Sequence, residues 1–144
     1  MFADIPTWNG DLSGWNFQSA PILYEIFSGT SFDQDLTWFN PQPFVSLHGF
    51  LKGASLFNGD VADWDLSNVQ DIGQLFESAE SFDRSLASWD VSSVTHADGL
   101  FKNALSFNGG KLIRVGAVAC CRSLMMLSLF CYRRHCCMEH SITH

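Results

Sequence analysis

A chain of 144 residues, 47% hydrophobic and 14% aromatic, carries enough apolar side chain to bury a core, which excludes disorder throughout. Its net charge of -7 excludes a phosphate-binding surface and hence a nucleic-acid partner, because such affinity rests on clustered Lys and Arg. Residues 1–110 hold fourteen of the fifteen acids and three of the eight bases (Lys52, Arg84, Lys102), while all five cysteines lie beyond them, so disulfides cannot stabilise the acidic part.

The opening Met1-Phe2-Ala3-Asp4-Ile5-Pro6 has neither a basic n-region nor an apolar h-region, so this chain carries no secretory signal. Met1-Phe2 instead matches a pair internal to a repeating unit, and the chain reads as starting in mid-repeat. The period is close to 25. Phe2, Phe27, Leu51, Phe76 and Phe101 form one series; Trp8, Phe32, Phe57, Phe82 and Phe107 a second; Trp15, Phe39, Trp64 and Trp89 a third.

In the first unit Leu12, Trp15, Phe17 and Ala20 lie at spacings of 3, 2 and 3, the rhythm of a leucine-rich repeat. The second unit interrupts that frame with Pro41 and Pro43, which remove ladder donors, so regularity should be lowest there. The third and fourth units are the clearest. From Val69 to Ala79, apolar Val69, Ile72, Phe76 and Ala79 share one helical face, and Ser and Gly leave that helix dependent on burial. From Leu86 to Val94, a short strand would set Trp89 and Val91 on one side and Asp90 on the other. Asn9-Gly10, Asp33 and Asn58-Gly59 read as turns.

These elements predict an α/β fold: a leucine-rich-repeat-like solenoid of about four stacked 25-residue units over residues 1–109, each a short strand plus a short helix, with an irregular tail over 110–144. Trp15, Phe39, Trp64 and Trp89 are expected in one buried column. Phe27, Phe76, Phe101, Phe32, Phe57, Phe82 and Phe107 are expected to fill the rest of the core. The strict period of Trp64 and Trp89 favours core packing over a carbohydrate platform.

Asn16, Asn40, Asp65 and Asp90 follow the third aromatic series and should project as a polar ladder, the best candidate binding surface. A cation or a partner's basic patch could use such a row. The plainer alternative is that each side chain bonds its own backbone, which Asp-x-Ser sequences favour. No dense loop of oxygen ligands marks a calcium site. His48 and His96 occupy different repeat phases, and no nucleophile, base and orienter can be nominated, so no catalytic residue, metal site or cofactor is expected.

After Gly109 the register ends, with Gly110-Lys111-Leu112-Ile113 standing where an Asp-Leu-x-x-Trp-Asp segment is due. The tail admits three readings. Val115 to Tyr132 is apolar, yet Arg122 interrupts it, which makes a poor membrane span. Cys131, His135, Cys136, Cys137 and His140 suggest metal binding, weakly, because no C-x-x-C pair occurs. Finally, Gly110-Lys111 can be encoded by GGTAAG, a splice-donor-like sequence, which would make the tail a read-through product.

The run Phe57-Asn58-Gly59-Asp60-Val61-Ala62-Asp63-Trp64-Asp65-Leu66-Ser67-Asn68-Val69, with its successor Phe82 to Val94, resembles the repeats of BspA-like leucine-rich repeat surface proteins. The resemblance covers residues 1 to 109 and weakens over 36–56, where Trp-Asp becomes Phe39-Asn40. It implies a surface-exposed or secreted array, adhesion as the role usually inferred, and no catalytic residues to carry over. The expected function is a non-catalytic repeat scaffold for protein or glycan contact at a cell surface, a fragment of a larger protein. The alternatives are a membrane-anchored structural protein using the apolar tail, and the accessory repeat region of a hydrolase. A membrane partner follows only if 115–132 is genuine.

Overall fold

The computed structural model describes residues 2–17 and 23–108, which wind into coils stacked in register. We number them coil 1 (2–17), coil 2 (23–45), coil 3 (46–70), coil 4 (71–95) and coil 5 (96–108). Each coil is a succession of β-turns.

This corrects the expected α/β solenoid of strand-plus-helix units. Among the described residues there is no helix, and strand-like pairing is confined to isolated bridges, including the parallel Ser46↔Asp71 and Asp71↔His96. The reason lies in where the backbone donors go. In coil 3 the N–H groups of Leu47, Gly49, Leu51 and Gly53 donate to the carbonyls of Asp71, Gly73, Leu75 and Glu77 in the next coil, at 2.6–3.1 Å. Between them, Phe50, Lys52, Ala54 and Phe57 donate three residues back, to Leu47, Gly49, Leu51 and Ala54, at 3.0–3.1 Å. Coil 4 repeats the scheme, with Ile72, Gln74, Phe76 and Ser78 donating to His96, Asp98, Leu100 and Lys102. An α-helix needs every N–H for its own i−4 carbonyl, and here alternate donors tie one coil to the next.

Left-handed residues enforce the choice. Gly49 (φ 62°), Gln74 (54°) and Gly99 (69°) occupy one repeat position, and Gly53 (69°), Ser78 (58°) and Asn103 (60°) the position four residues on. Each is the third residue of an i→i+3 turn, where a type II turn requires positive φ. Such turns carry Leu47, Phe50, Leu51 and Ala54 inward together, all fully buried, so they imitate the apolar spacing of a helix. The strand reading fails for a related reason. Trp89 donates to Leu86 (3.1 Å) and Val94 to Val91 (3.0 Å), so the 3-2-3 spacing marks the two ends of successive turns.

A side chain in the left-handed region costs about 1–2 kcal/mol, whereas a glycine there adds about 0.5–1 kcal/mol of ordering entropy. The first effect is the larger, so Ser78→Gly should raise stability by about 1 kcal/mol in denaturant melts. A loss of stability would show that the hydroxyl matters more than the backbone.

The core is built of ring columns along the stack. Trp8, Phe32, Phe57, Phe82 and Phe107 follow one another at 5.6–6.0 Å with interplanar angles of 10–14°. Phe76 and Phe101 lie beside them, each 4.0 Å from its partner Phe82 or Phe107. Trp64 and Trp89 stack at 5.8 Å, and their indole N–H groups donate to Leu36 O (3.1 Å) and Val61 O (2.8 Å) in the preceding coil. A buried indole must find such a partner. The expected four-membered column needs correction at Trp15, which is 48% exposed while Phe39, Trp64 and Trp89 are buried.

The expected turns at Asn9, Asp33 and Asn58 are likewise not turns. Asn9 Oδ1 accepts the N–H of Asp33 (3.0 Å), Asp33 Oδ1 that of Asn58 (3.0 Å), and Asn58 Oδ1 that of Asp83 (3.1 Å). These residues form an inter-coil ladder in which a side chain replaces the carbonyl of a strand pair.

Candidate functional site

Four surface features could carry function, and their chemistry differs. The first is the ladder Asn16, Asn40, Asp65 and Asp90, which the fold exposes on successive coils. Asn40, Asp65 and Asp90 each accept, through Oδ1, the backbone N–H two residues on, from Gln42 (3.0 Å), Ser67 (2.9 Å) and Ser92 (2.9 Å). The own-backbone alternative thus describes these three.

Those backbone bonds, and next the Ser67 and Ser92 hydroxyls, hold the Asp65 and Asp90 carboxyls below the ordinary value of 3.8. Partial desolvation opposes the shift, as does the Asp90 charge in the case of Asp65. A folded pKa below the unfolded one adds stability that is complete above about pH 5 and is lost as the pH falls through the lowered values. The melting temperature should therefore hold from pH 7 to about 5 and fall below about 4, and the Asp65→Asn, Asp90→Asn double variant should fall less steeply. An identical acid limb in the variant would remove these two residues from the account.

A second feature is a column of alternating charge. Lys52 Nζ lies 3.8 Å from Glu25 Oε1 and 3.7 Å from Glu77 Oε2, and donates to Gln74 Oε1 at 2.7 Å. Lys102 Nζ donates to Glu77 Oε1 at 2.7 Å. Glu77 is buried between two lysines of different coils, and the column neutralises itself.

The third feature joins residues that sequence phase alone kept apart. Ser46 Oγ donates to Asp71 Oδ2 (3.3 Å), His48 Nδ1 lies 3.5 Å from the same oxygen, and Tyr24 stacks on His48 at 5.3 Å. The Ser46 hydroxyl faces the carboxylate and accepts from His48 N–H (3.2 Å), so His48 is not placed as its base. Asp71 also bridges His96 in the next coil, a juxtaposition that the exact 25-residue steps from 46 to 71 to 96 encode.

The fourth is a cleft of about 170 Å³ lined by Trp15, Asn16, Phe17, Trp38, Asn40 and the buried rings beneath them. It brings together Asn16 and Asn40 of the expected ladder, and leaves Asp65 and Asp90 outside. Sequence reasoning missed Trp38. The available signal was its position, because it stands where Gly14, Asp63 and Ser88 stand in the other units.

Among the described residues no group of three or more His, Cys, Asp or Glu could hold a metal ion, and no helix is long and apolar enough to cross a membrane. The tail cysteines and the apolar run 115–132 lie outside the described residues. A family model described as "Mycoplasma protein of unknown function, DUF285" matches residues 1–112. No curated protein and no solved structure matches.

Proposed function

Because this chain belongs to the DUF285 family, whose function is unknown, its role must be sought in its own surface, and we propose a non-catalytic repeat scaffold for protein or glycan contact at a cell surface. The observation that carries this reading is the exposed row Asn16, Asn40, Asp65 and Asp90, which offers similar polar chemistry at one place on each successive coil. Regular presentation of that kind suits an extended partner, since each added coil extends the same contact. The resemblance of Phe57 to Val69 to BspA-like repeats supports the surface location.

Lys102 has a side chain 64% exposed and so offers a reactive amine on the outside of the stack. Intact cells producing the protein, treated with a membrane-impermeant amine reagent, should yield chain labelled at Lys102. Labelling that appears only after lysis would contradict a surface role.

A further inference from the structure

We propose that this protein cross-links itself, the Lys52 amine displacing ammonia from the Gln74 side-chain amide to leave a covalent bond between coils 3 and 4. Backbone strain points to these residues. One position of the repeat is left-handed in coils 2 to 5, at Glu25 (φ 49°), Gly49 (62°), Gln74 (54°) and Gly99 (69°). Glycine adopts that conformation freely, whereas a side chain there is strained. Coils 3 and 5 use glycine, so the turn itself does not require a side chain. Both residues that carry one direct it at the same atom: Glu25 Oε1 lies 3.8 Å from Lys52 Nζ, and Gln74 Oε1 accepts from that Nζ at 2.7 Å. Strain retained to converge groups on one amine is the mark of a functional arrangement.

The contact is already close to reactive. A lysine ammonium only donates, so the Gln74 amide oxygen faces it and the amide nitrogen, the leaving group, faces away. With a C=O length of about 1.23 Å, the amide carbon lies no more than about 3.9 Å from Nζ, and a small rotation of the amide brings it to the about 3–3.5 Å of a near-attack pair. Glu77 supplies the base. Its side chain is only 10% exposed, Lys102 Nζ holds its Oε1 at 2.7 Å, and its Oε2 stands 3.7 Å from Lys52 Nζ.

Glu77 takes a proton from the ammonium, and the neutral amine attacks Cδ of Gln74. The Nζ–Cδ bond forms and the Cδ–Nε2 bond breaks, its electron pair leaving with Nε2. Two protons pass from Nζ to Nε2, relayed by Glu77, which ends as the carboxylate it began, and ammonium departs. No oxidant or cofactor is consumed. Each chain reacts once and the ammonia is lost to solvent, so a small neutral fraction of the amine suffices, because well-held intramolecular pairs reach effective concentrations of about 10⁵ M or more. The product closes a loop between Lys52 and Gln74 and fixes the register of two coils that hydrogen bonds alone otherwise hold.

Intact-mass spectrometry of the reduced full chain tests the reaction. The parent should be lighter than its sequence mass by one ammonia, while Lys52→Arg, which keeps the charge but not the nucleophile, and Gln74→Ala should each show their full mass. Trypsin does not cut after an acylated lysine, so it should release residues 1–84 of the parent as one peptide. Glu77→Gln should slow cross-linking by about a hundredfold or more, the loss expected of a general base. Should that variant fail to fold, the tryptic map of the parent decides without it. A parent at full mass after prolonged incubation, or complete cleavage after Lys52, overturns the proposal. So does an ammonia loss that persists in Lys52→Arg, which would place it at a succinimide such as Asn9-Gly10 or Asn58-Gly59.

Discussion

Trp64→Ala should destabilise the stack by about 3–5 kcal/mol, the cost of emptying a large aromatic site that neighbours cannot refill. Trp64 is 3% exposed, stacks on Trp89 at 5.8 Å, and meets Phe39 at 5.2 Å and Phe50 at 6.0 Å. Its removal leaves a void across three coils and deprives Leu36 O of the indole donor. Whole domains are stable by only about 5–15 kcal/mol, so much of the margin would go. Chemical denaturation of the full chain measures the effect. A shift under about 1 kcal/mol would place the ring outside the core, against the burial described.

Gly59→Ala should cost about 1–3 kcal/mol, a large penalty for one methyl group. A Cβ at Gly59 would lie 2.5 Å from Gln34 O and 2.8 Å from the Phe57 ring. Neither can yield easily. Gln34 O belongs to the backbone of the neighbouring coil, and Phe57 is held between Phe32 and Phe82 at 6.0 and 5.9 Å. The adjacent Asn58 bonds both neighbouring coils through its N–H and Oδ1, so displacement at Gly59 would loosen the ladder as well. By contrast, nothing lies within 4 Å of a Cβ at Gly14, and Gly14→Ala serves as the control that should be nearly neutral. Equal melting of the two variants would remove the close approach of coils 2 and 3 from the account.

The apolar period was legible because ring columns need equivalent residues at equal steps, as Phe57, Phe82 and Phe107 show. Local conformation was not. A succession of i→i+3 turns buries Leu47, Phe50, Leu51 and Ala54 just as a helix would, and only the left-handed positions tell the two apart. Gly49, Gly53 and Gly99 hint at those positions, but Gln74, Ser78 and Asn103 hide the pattern. Asn58-Gly59 looked like a turn because asparagine and glycine usually mark one; here the amide reaches the next coil and the glycine allows its approach. At the candidate site the ladder was legible as an exposed row. The cleft was not, because it depends on Trp15 leaving the column its equivalents occupy.

Couplings across hydrogen bonds, measured by NMR on the isotope-labelled full chain, test the turn-built coil most directly. The structure predicts couplings from Leu51 N to the carbonyl carbon of Leu75 and from Phe76 N to that of Leu100, with Ala54 N coupled to Leu51 and Ala79 N to Phe76. Couplings from Phe76 N to Ile72 and from Ala79 N to Leu75, the i→i−4 pattern of an α-helix, would contradict it.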